Sequence, residues 1–276
     1  MVTGANRGIG LQLCRELLAE NRPVILVARS AEKAEKSRET LLGELSQEDA
    51  DSRKDAIRAL ACDLMSPADI DRLAQTVKAH VRSRDARLVA LVNNAGIMTN
   101  EWNKQAFEAH MEVNTRAPVR LATLLRDQLA EGHGQVLNVS SGLGCFKYTP
   151  KTYVPLLAES DDLDKILNLP YIDKPGSTVK EEAETPERLS YKLSKAALNR
   201  ACYLLSKDKA WSKVPINVVC PGWVRTDMGT DKASRSPSEG VASVRAILDR
   251  EPPVPTGTFT RDGREMDWWY GSDGWN

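Results

Sequence analysis

The sequence predicts an α/β fold, a doubly wound parallel sheet of the Rossmann type that forms a single domain over residues 1–276. Three observations predict it. Short apolar segments alternate with amphipathic helical ones, a glycine-rich loop precedes the first helix, and the chain has no internal repeat. Strands that are apolar throughout are typical of a sheet covered by helices on both faces.

The predicted elements follow one another as strand, helix, strand along the chain. Helical periodicity is found in LQLCRELLAE, in residues 31–45 and in PADIDRLAQTVKAHV, which Ser66 and Pro67 precede as start signals. The predicted strands are PVILVA, IRALACD, LVALVNN, GQVLNVSS and PINVVCPG.

Two segments depart from this rhythm. Residues 146–189 are rich in Lys, Glu, Asp and Pro and contain weak helical pieces such as AESDDLDKILNL, so we interpret them as an insertion within the domain, beside the substrate cleft. At the start, only Met1 and Val2 precede Thr3 and the glycine loop. A buried strand usually has about 5 to 6 residues, so we expect a shortened first strand and an incomplete N-terminus.

Composition excludes several classes of function. Lys plus Arg and Asp plus Glu both number 38, which gives no reason to expect nucleic acid or a membrane as partner, and no apolar run reaches the length of a membrane span. The histidines lack metal-site spacing and are expected at the surface. We therefore expect a cytoplasmic protein without a metal and with reduced cysteines, which are Cys14, Cys62, Cys145, Cys202 and Cys220.

The loop TGANRGIG indicates a dinucleotide site. Its spacing, G-x-x-x-G-x-G, differs from the G-x-G-x-x-G fingerprint, but the loop joins a strand to a helix, where glycines let the backbone approach a pyrophosphate. A turn without a ligand is the alternative. The second strand ends in Arg29, where NAD enzymes tend to have an acidic residue. Arg29, with Arg7 in the loop, suits a 2'-phosphate and predicts NADP(H) as cofactor.

An ordered set of motifs resembles the short-chain dehydrogenase/reductase family in its classical form. The motifs are TGANRGIG, CDL, NNAG, VN, VSS, YKLSK and PGWVRTDM, and they extend over nearly the whole chain. Asp63 alone would be interpreted as a turn residue at a strand end. The resemblance implies cofactor contacts at Gly4, Asn6, Arg7, Gly8, Ile9, Gly10, Arg29, Asp63, Leu64, Asn94, Ala95, Gly96, Tyr191, Lys195, Pro221, Gly222, Val224 and Thr226.

The resemblance also implies the chemistry, which is hydride transfer between a nicotinamide and a carbonyl or alcohol. Tyr191 would be the general acid, and Lys195, on the same helix face, would lower its pKa from about 10 together with the cationic nicotinamide of NADP+. Lys195 would also hold the ribose. Ser141 would orient the reacting oxygen, with Ser140 as the adjacent alternative. Asn114 would hold a water in a proton relay to the lysine.

Two further features concern the substrate and the subfamily. Trp223 belongs either to the core or to the substrate pocket, and we favour the pocket. Fifty positions separate Ser141 from Tyr191, far more than in most members of the family. An insertion of this size resembles the monomeric NADPH-dependent carbonyl reductases, whose inserted segment covers a face that tetrameric members use for association.

The expected function is therefore reduction of a small-molecule aldehyde, ketone or quinone by a monomer. One alternative is an NADP-dependent alcohol, retinol or steroid dehydrogenase working in the oxidative direction. A non-catalytic NADP-binding regulator is the other.

Overall fold

The computed structural model describes residues 1–178 and 187–268. Their strands form one sheet in the order β3-β2-β1-β4-β5-β6-β7-β8, in which all neighbours are parallel except β7 and β8. This order confirms the predicted doubly wound sheet. The strands are β1 Val2–Thr3, β2 Val24–Ala28, β3 Ile57–Ala61, β4 Ala90–Asn93, β5 Gln135–Val139, β6 Ile216–Val219, β7 Phe259–Arg261 and β8 Arg264–Glu265.

Helices cover both faces of the sheet. Alternate residues of β2 enter two different apolar clusters, Ile25 on the face covered by α4, α5, α6 and α8, and Leu26 on the face covered by α1, α2 and α9. Every residue of β2 is buried, as the apolar run predicted. The helices are α1 Gly8–Ala19, α2 Ala31–Gly43, α3 Gln47–Arg53, α4 Pro67–Ser83, α5 Lys104–Met111, α6 Ala117–Glu131, α7 Leu163–Leu167, α8 Leu189–Lys207 and α9 Pro237–Leu248.

Several boundaries follow from local signals. The predicted start of α4 is confirmed, because the Ser66 hydroxyl accepts a hydrogen bond from the backbone N–H of Asp69 and Pro67 is the first helical residue. Ser30 caps α2 in the same way. The central strand β1 has two residues, and Val2 pairs with Leu26 of β2 and with Val92 of β4.

The structure also contains elements that the periodicity did not predict. A short helix, α3, lies on the surface without a buried residue, so it lacks the apolar stripe by which sequence reasoning finds helices. The helical region after β4 is interrupted by a π-helical turn over Glu112–Arg116. Strand β7 adds to the sheet beside β6 and had no predicted counterpart.

The predicted insertion begins with a series of short turns followed by α7. Tyr153, Leu157 and Ile166 from this part are buried in the apolar cluster that includes α8. Residues 179–186 of the predicted segment lie outside the described residues. Within the described ranges, no helix has the length and apolar character needed to cross a bilayer.

Candidate active site

A cavity of about 1190 Å³ lies at the carboxyl ends of the parallel strands. Its wall runs from Arg29 after β2 and Asp63 after β3 to Ser141 after β5, and it includes Tyr191 of α8. Ligands of open α/β sheets bind at this edge, where the strand order reverses. After the roles that the sequence predicts, we call the part around the glycine loop the cofactor end and the part around Ser141 and Tyr191 the reacting end.

The glycine loop turns sharply into α1. Gly4 and Gly8 have φ of +63° and +56°, which side chains rarely tolerate. Arg7, the residue before α1, makes no side-chain capping bond, and the first turn of α1 contains no acidic residue. The helix start thus keeps free N–H groups and a positive dipole end beside the cavity, which suits an anionic ligand.

The NNAG segment supports this loop from behind. A Cβ on Gly10 would lie 2.5 Å from the Asn94 side-chain nitrogen and 2.6 Å from the Gly4 carbonyl oxygen. That same amide of Asn94 donates hydrogen bonds to the carbonyls of Thr3 and Gly4. Gly10 is therefore a packing residue behind the loop and is not part of the cavity wall, although we expected a cofactor contact there.

The other predicted cofactor residues lie on the cavity wall. Among them, the basic side chains differ in how accessible they are to a ligand. Arg29 is exposed and makes no ion pair or hydrogen bond through its side chain within residues 1–178 and 187–268. Arg7 forms an ion pair with Asp227. Lys33, in the first turn of α2, also lines this end, and we did not predict it. Its position one helical turn after Arg29 is the signal that the sequence offered.

Asp63 and Leu64 line the cofactor end after β3, and both interpretations of Asp63 agree with its geometry. One oxygen of its carboxylate accepts a hydrogen bond from the backbone N–H of Met65 at 3.0 Å, as in a turn residue. Asp63 also lies on the cavity wall, so its side chain could contact a bound nucleotide.

At the reacting end, Tyr191 and Ser141 both line the cavity, and the Ser141 hydroxyl lies near enough to the phenol of Tyr191 to act on its pKa. Tyr191 is only 6% exposed, and its burial raises the pKa of the phenol to about 12, while the nearby Ser141 hydroxyl and the charge of Arg188 act in the opposite direction. The protein's own groups thus hold the proton on Tyr191. The lowering of this pKa by Lys195 together with a cationic nicotinamide stays a prediction.

Lys195 lies one helical turn beyond Tyr191, with its Nζ 5.9 Å from the centre of the Tyr191 ring. The ammonium donates a hydrogen bond to the Val139 carbonyl oxygen at 2.8 Å. Burial lowers the pKa of Lys195 to about 8, because the buried site disfavours the charge. Burial therefore opposes the charged form of both Tyr191 and Lys195.

The choice between the two serines after β5 follows from their partners. The Ser140 hydroxyl donates a hydrogen bond to the Asn199 side-chain oxygen at 2.6 Å and is buried. The Ser141 hydroxyl instead accepts a hydrogen bond from the backbone N–H of Leu143 at 3.1 Å, and the residue is half-buried on the cavity wall. Of the two, Ser141 has the geometry for orienting a substrate oxygen.

Asn114 lies in the π-helical turn and is fully buried. Its side-chain oxygen accepts from the backbone N–H of Ile97 at 2.8 Å, and its nitrogen donates to the Ile97 carbonyl and to the Ser194 hydroxyl. Asn114 is not part of the cavity wall, but a Cβ on Gly96 would lie 3.2 Å from its oxygen and 3.6 Å from the Lys195 Nζ. The relay through Asn114 stays a prediction.

The expectation that all histidines lie at the surface is wrong for His110, which is 1% exposed. Its Nδ1 lies 2.6 Å from the Ala106 carbonyl oxygen, and its Nε2 is 3.2 Å from the Thr99 backbone nitrogen. The N–H of Thr99 needs an acceptor, so Nε2 carries no proton and Nδ1 donates. His110 fixes the chain next to Ile97 and Met98, which line the cavity. The described residues contain no cluster that could hold a metal.

The loop after β6 closes the cavity on one side. Pro221, Gly222, Trp223, Val224 and Thr226 all lie on its wall. Trp223 is 53% exposed, so it belongs to the pocket mouth and not to the core. Wall residues that we did not predict include Lys147, Tyr148 and Arg188, which come from the segment before α8, where no motif marks them.

Comparison with known proteins was made at the level of sequence family and of structure. The model of the family described as short chain dehydrogenase matches residues 1–153. This chain belongs to that family. The resemblance inferred from the ordered motifs is thereby confirmed.

Its relatives include reductases and dehydrogenases of similar length. The chain is 30% identical to (+)-neomenthol dehydrogenase of Arabidopsis thaliana, over 94% of each chain. It is 27% identical to carbonyl reductase (NADPH) 1 of Bos taurus, over 97% of each chain. Similar solved structures include salutaridine reductase from Papaver somniferum, with a TM-score of 0.76, 24% identity and coverage of 94% and 97%, which supports the fold.

Proposed function

We propose that this chain reduces a carbonyl group of an aldehyde, ketone or quinone to an alcohol, with NADPH as the hydride donor. The observation that carries the proposal is the grouping of Tyr191, Ser141 and the buried Lys195 on the wall of the same cavity as the glycine loop, with the Lys195 Nζ 5.9 Å from the centre of the Tyr191 ring. A sensor of the cofactor would not need this set of three side chains.

The cofactor end fits NADP(H). The start of α1 has no side-chain cap and lies beside the cavity, which suits a pyrophosphate. Gly4 packs closely against Ala95, since a Cβ on Gly4 would lie 2.8 Å from the Ala95 Cα. Arg29 and Lys33 would bind the 2'-phosphate that distinguishes NADPH from NADH. NADPH supplies the hydride when bound. The name of the bovine relative, carbonyl reductase (NADPH) 1, agrees with this choice.

Side chains of the protein would bind the substrate oxygen and supply its proton. Ser141 would donate a hydrogen bond to the substrate oxygen, which becomes negative as the carbonyl is reduced, and Tyr191 would give that oxygen its phenolic proton. The remaining phenolate is stabilised by the ammonium of Lys195. Because burial raises the pKa of Tyr191 to about 12, the resting side chain carries the proton that reduction consumes.

A second candidate is oxidation of an alcohol, including a retinol or a steroid, with NADP+. The 30% identity to a plant neomenthol dehydrogenase favours it. Oxidation requires Tyr191 to begin as a phenolate, however, and the raised pKa opposes that state. We therefore prefer the reductive direction.

The test is consumption of NADPH with a panel of aldehydes, ketones and quinones, run with Tyr191→Phe and with Tyr203→Phe from the same helix as a matched control. We expect Tyr191→Phe to lose about 10³-fold in kcat, since general acid catalysis contributes about 10² to 10⁴-fold, and Tyr203→Phe to stay within about twofold. Full activity of Tyr191→Phe would disprove the mechanism. NADPH binding without turnover of any compound would support the regulator instead.

We also propose that the protein is a monomer in the cytoplasm whose partner is a small-molecule substrate. Support comes from the segment before α8, which covers that helix: the Arg200 side chain donates hydrogen bonds at 2.8 and 3.0 Å to the Ser160 carbonyl oxygen. Light scattering tests the assembly, and a dimer or tetramer mass would contradict the proposal.

A further inference from the structure

The start of α8 places an arginine beside the reacting groups. Arg188 lies on the cavity wall and immediately precedes the helix that carries Tyr191. Its backbone is left-handed, with φ 58° and ψ 33°, a conformation that costs free energy in a residue other than glycine. The charge of Arg188 is close enough to Tyr191 to act on the pKa of the phenol.

The guanidinium of Arg188 has no ion pair or hydrogen bond among the residues that the structure describes. Arg200, three turns further along α8, instead pairs with Asp161 at 3.0 Å. The helix start adds to the positive field, because no side chain caps it and its first turn holds no acidic residue. Glu187, the preceding residue, is exposed and does not line the cavity.

The wall around this arginine combines positive charge with apolar surface. Lys147 and Arg261 also line the reacting end. The acidic side chains among the described wall residues are Asp63 and Asp227, and both lie with the cofactor end, Asp227 in its ion pair with Arg7. Trp223 and Met228 supply apolar surface at the mouth, where they are 53% and 38% exposed.

We propose that the substrate is an amphipathic oxo acid: a carbonyl compound with an apolar body and a carboxylate that Arg188 binds, while its carbonyl oxygen meets Ser141 and Tyr191. This inference rests on the proposed carbonyl reduction. A guanidinium matches a carboxylate through paired hydrogen bonds, and the apolar mouth accommodates the rest of the molecule. The carboxylate takes no part in the reaction.

The test compares acids with their methyl esters, which differ in charge but keep the carbonyl. The probes are 4-formylbenzoate and 4-oxo-4-phenylbutanoate with their esters, assayed with NADPH at low ionic strength. We expect kcat/KM to favour the acid by about tenfold in at least one pair, mostly through KM. The ratio falls to about one in Arg188→Gln, is partly kept in Arg188→Lys, and is unchanged in Arg126→Gln, a half-buried arginine outside the cavity. The preference also weakens with added salt.

Two results overturn the inference. One is equal or better turnover of the esters in both pairs, and the other is an acid-to-ester ratio that survives in Arg188→Gln. In either case the esters are still reduced, so the proposed carbonyl reduction stands. If neither acids, esters nor the neutral panel are reduced, the proposed function itself fails, and this inference fails with it.

Discussion

The two ends of the cavity are built in different ways. The cofactor end is formed by backbone shape: two glycines with positive φ, an uncapped helix start, and exposed cations on the rim. The reacting end is formed by buried side chains with shifted pKa values, Tyr191 at about 12 and Lys195 at about 8. We infer that substitutions at the first end act through packing and cofactor affinity, whereas those at the second alter the chemistry and its pH dependence.

The largest effect is expected at Lys195, where activity and stability respond in opposite directions. Lys195→Met removes the cation that stabilises the phenolate and should lower kcat by about 10³-fold. The buried charge costs the fold free energy, at about 1.4 kcal/mol for each unit by which the pKa is lowered. After loss of the hydrogen bond to Val139, we expect a net gain of about 1 to 2 kcal/mol in the free energy of unfolding at pH 7.

The pH dependence of unfolding tests whether the buried charge of Lys195 is the cause of the stability gain in Lys195→Met. Between pH 8 and the ordinary lysine value of 10.5, the unfolded chain binds more protons at this position than the folded one, so the parent gains stability as pH rises. The advantage of Lys195→Met should therefore shrink at pH 9.5 in denaturant unfolding. A variant less stable than the parent at pH 7 would refute the account.

At the cofactor end, the largest effect is expected from Gly10→Ala. The added Cβ meets the Asn94 side chain and the Gly4 carbonyl oxygen at 2.5 and 2.6 Å, so one of them must shift, and we expect a loss of about 2 to 4 kcal/mol in stability. Gly43→Ala is the matched control, since its Cβ meets nothing within 4 Å, and it should stabilise α2 slightly. Equal effects of the two changes on the melting temperature would contradict this packing role.

Much of the fold was predictable because its signals are local. The strand β2 is apolar throughout, and Ser66 with Pro67 marks the start of α4. Strand β7 was missed because only three residues pair there, after a proline-rich segment. The division into one domain with an insertion over 146–189 stays a prediction, since part of that segment lies outside the described residues.

The site was predictable only where a motif marks it. Ser141, Tyr191 and Lys195 carry motif positions, and the structure brings them together. The roles assigned to them stay predictions. Arg188 and His110 carry no such mark, since a buried histidine differs from a surface one only through its tertiary contacts. The direction of the Tyr191 pKa shift likewise depends on burial, which no local pattern reports.

We expect the buried His110 to lower the stability of the fold at acidic pH. Burial lowers its pKa, so as pH falls through about 6.5 the unfolded chain takes up a proton that the folded one resists, and stability decreases. His110→Phe should cost about 1 to 3 kcal/mol at pH 7, because the Thr99 N–H loses its acceptor, and should flatten the decline between pH 7 and 5. His133→Asn, at an exposed position, is the control. An unchanged pH profile in His110→Phe would exclude this residue as the cause.

The smallest expected effect is a difference in NADPH affinity between variants of Arg29 and of Arg7, the two arginines of the cofactor end. Arg29 has no partner among the described residues, whereas Arg7 already pairs with Asp227, so a phosphate gains more from Arg29. Arg29→Gln should raise the Kd for NADPH by about tenfold and Arg7→Gln by about threefold, with little change for NADH, since exposed charge pairs contribute modestly. Fluorescence titration at low and high salt measures the two Kd values, and added salt should reduce the difference between the variants. If Arg7→Gln weakens NADPH binding more than Arg29→Gln does, the 2'-phosphate lies against the glycine loop and not at the end of β2.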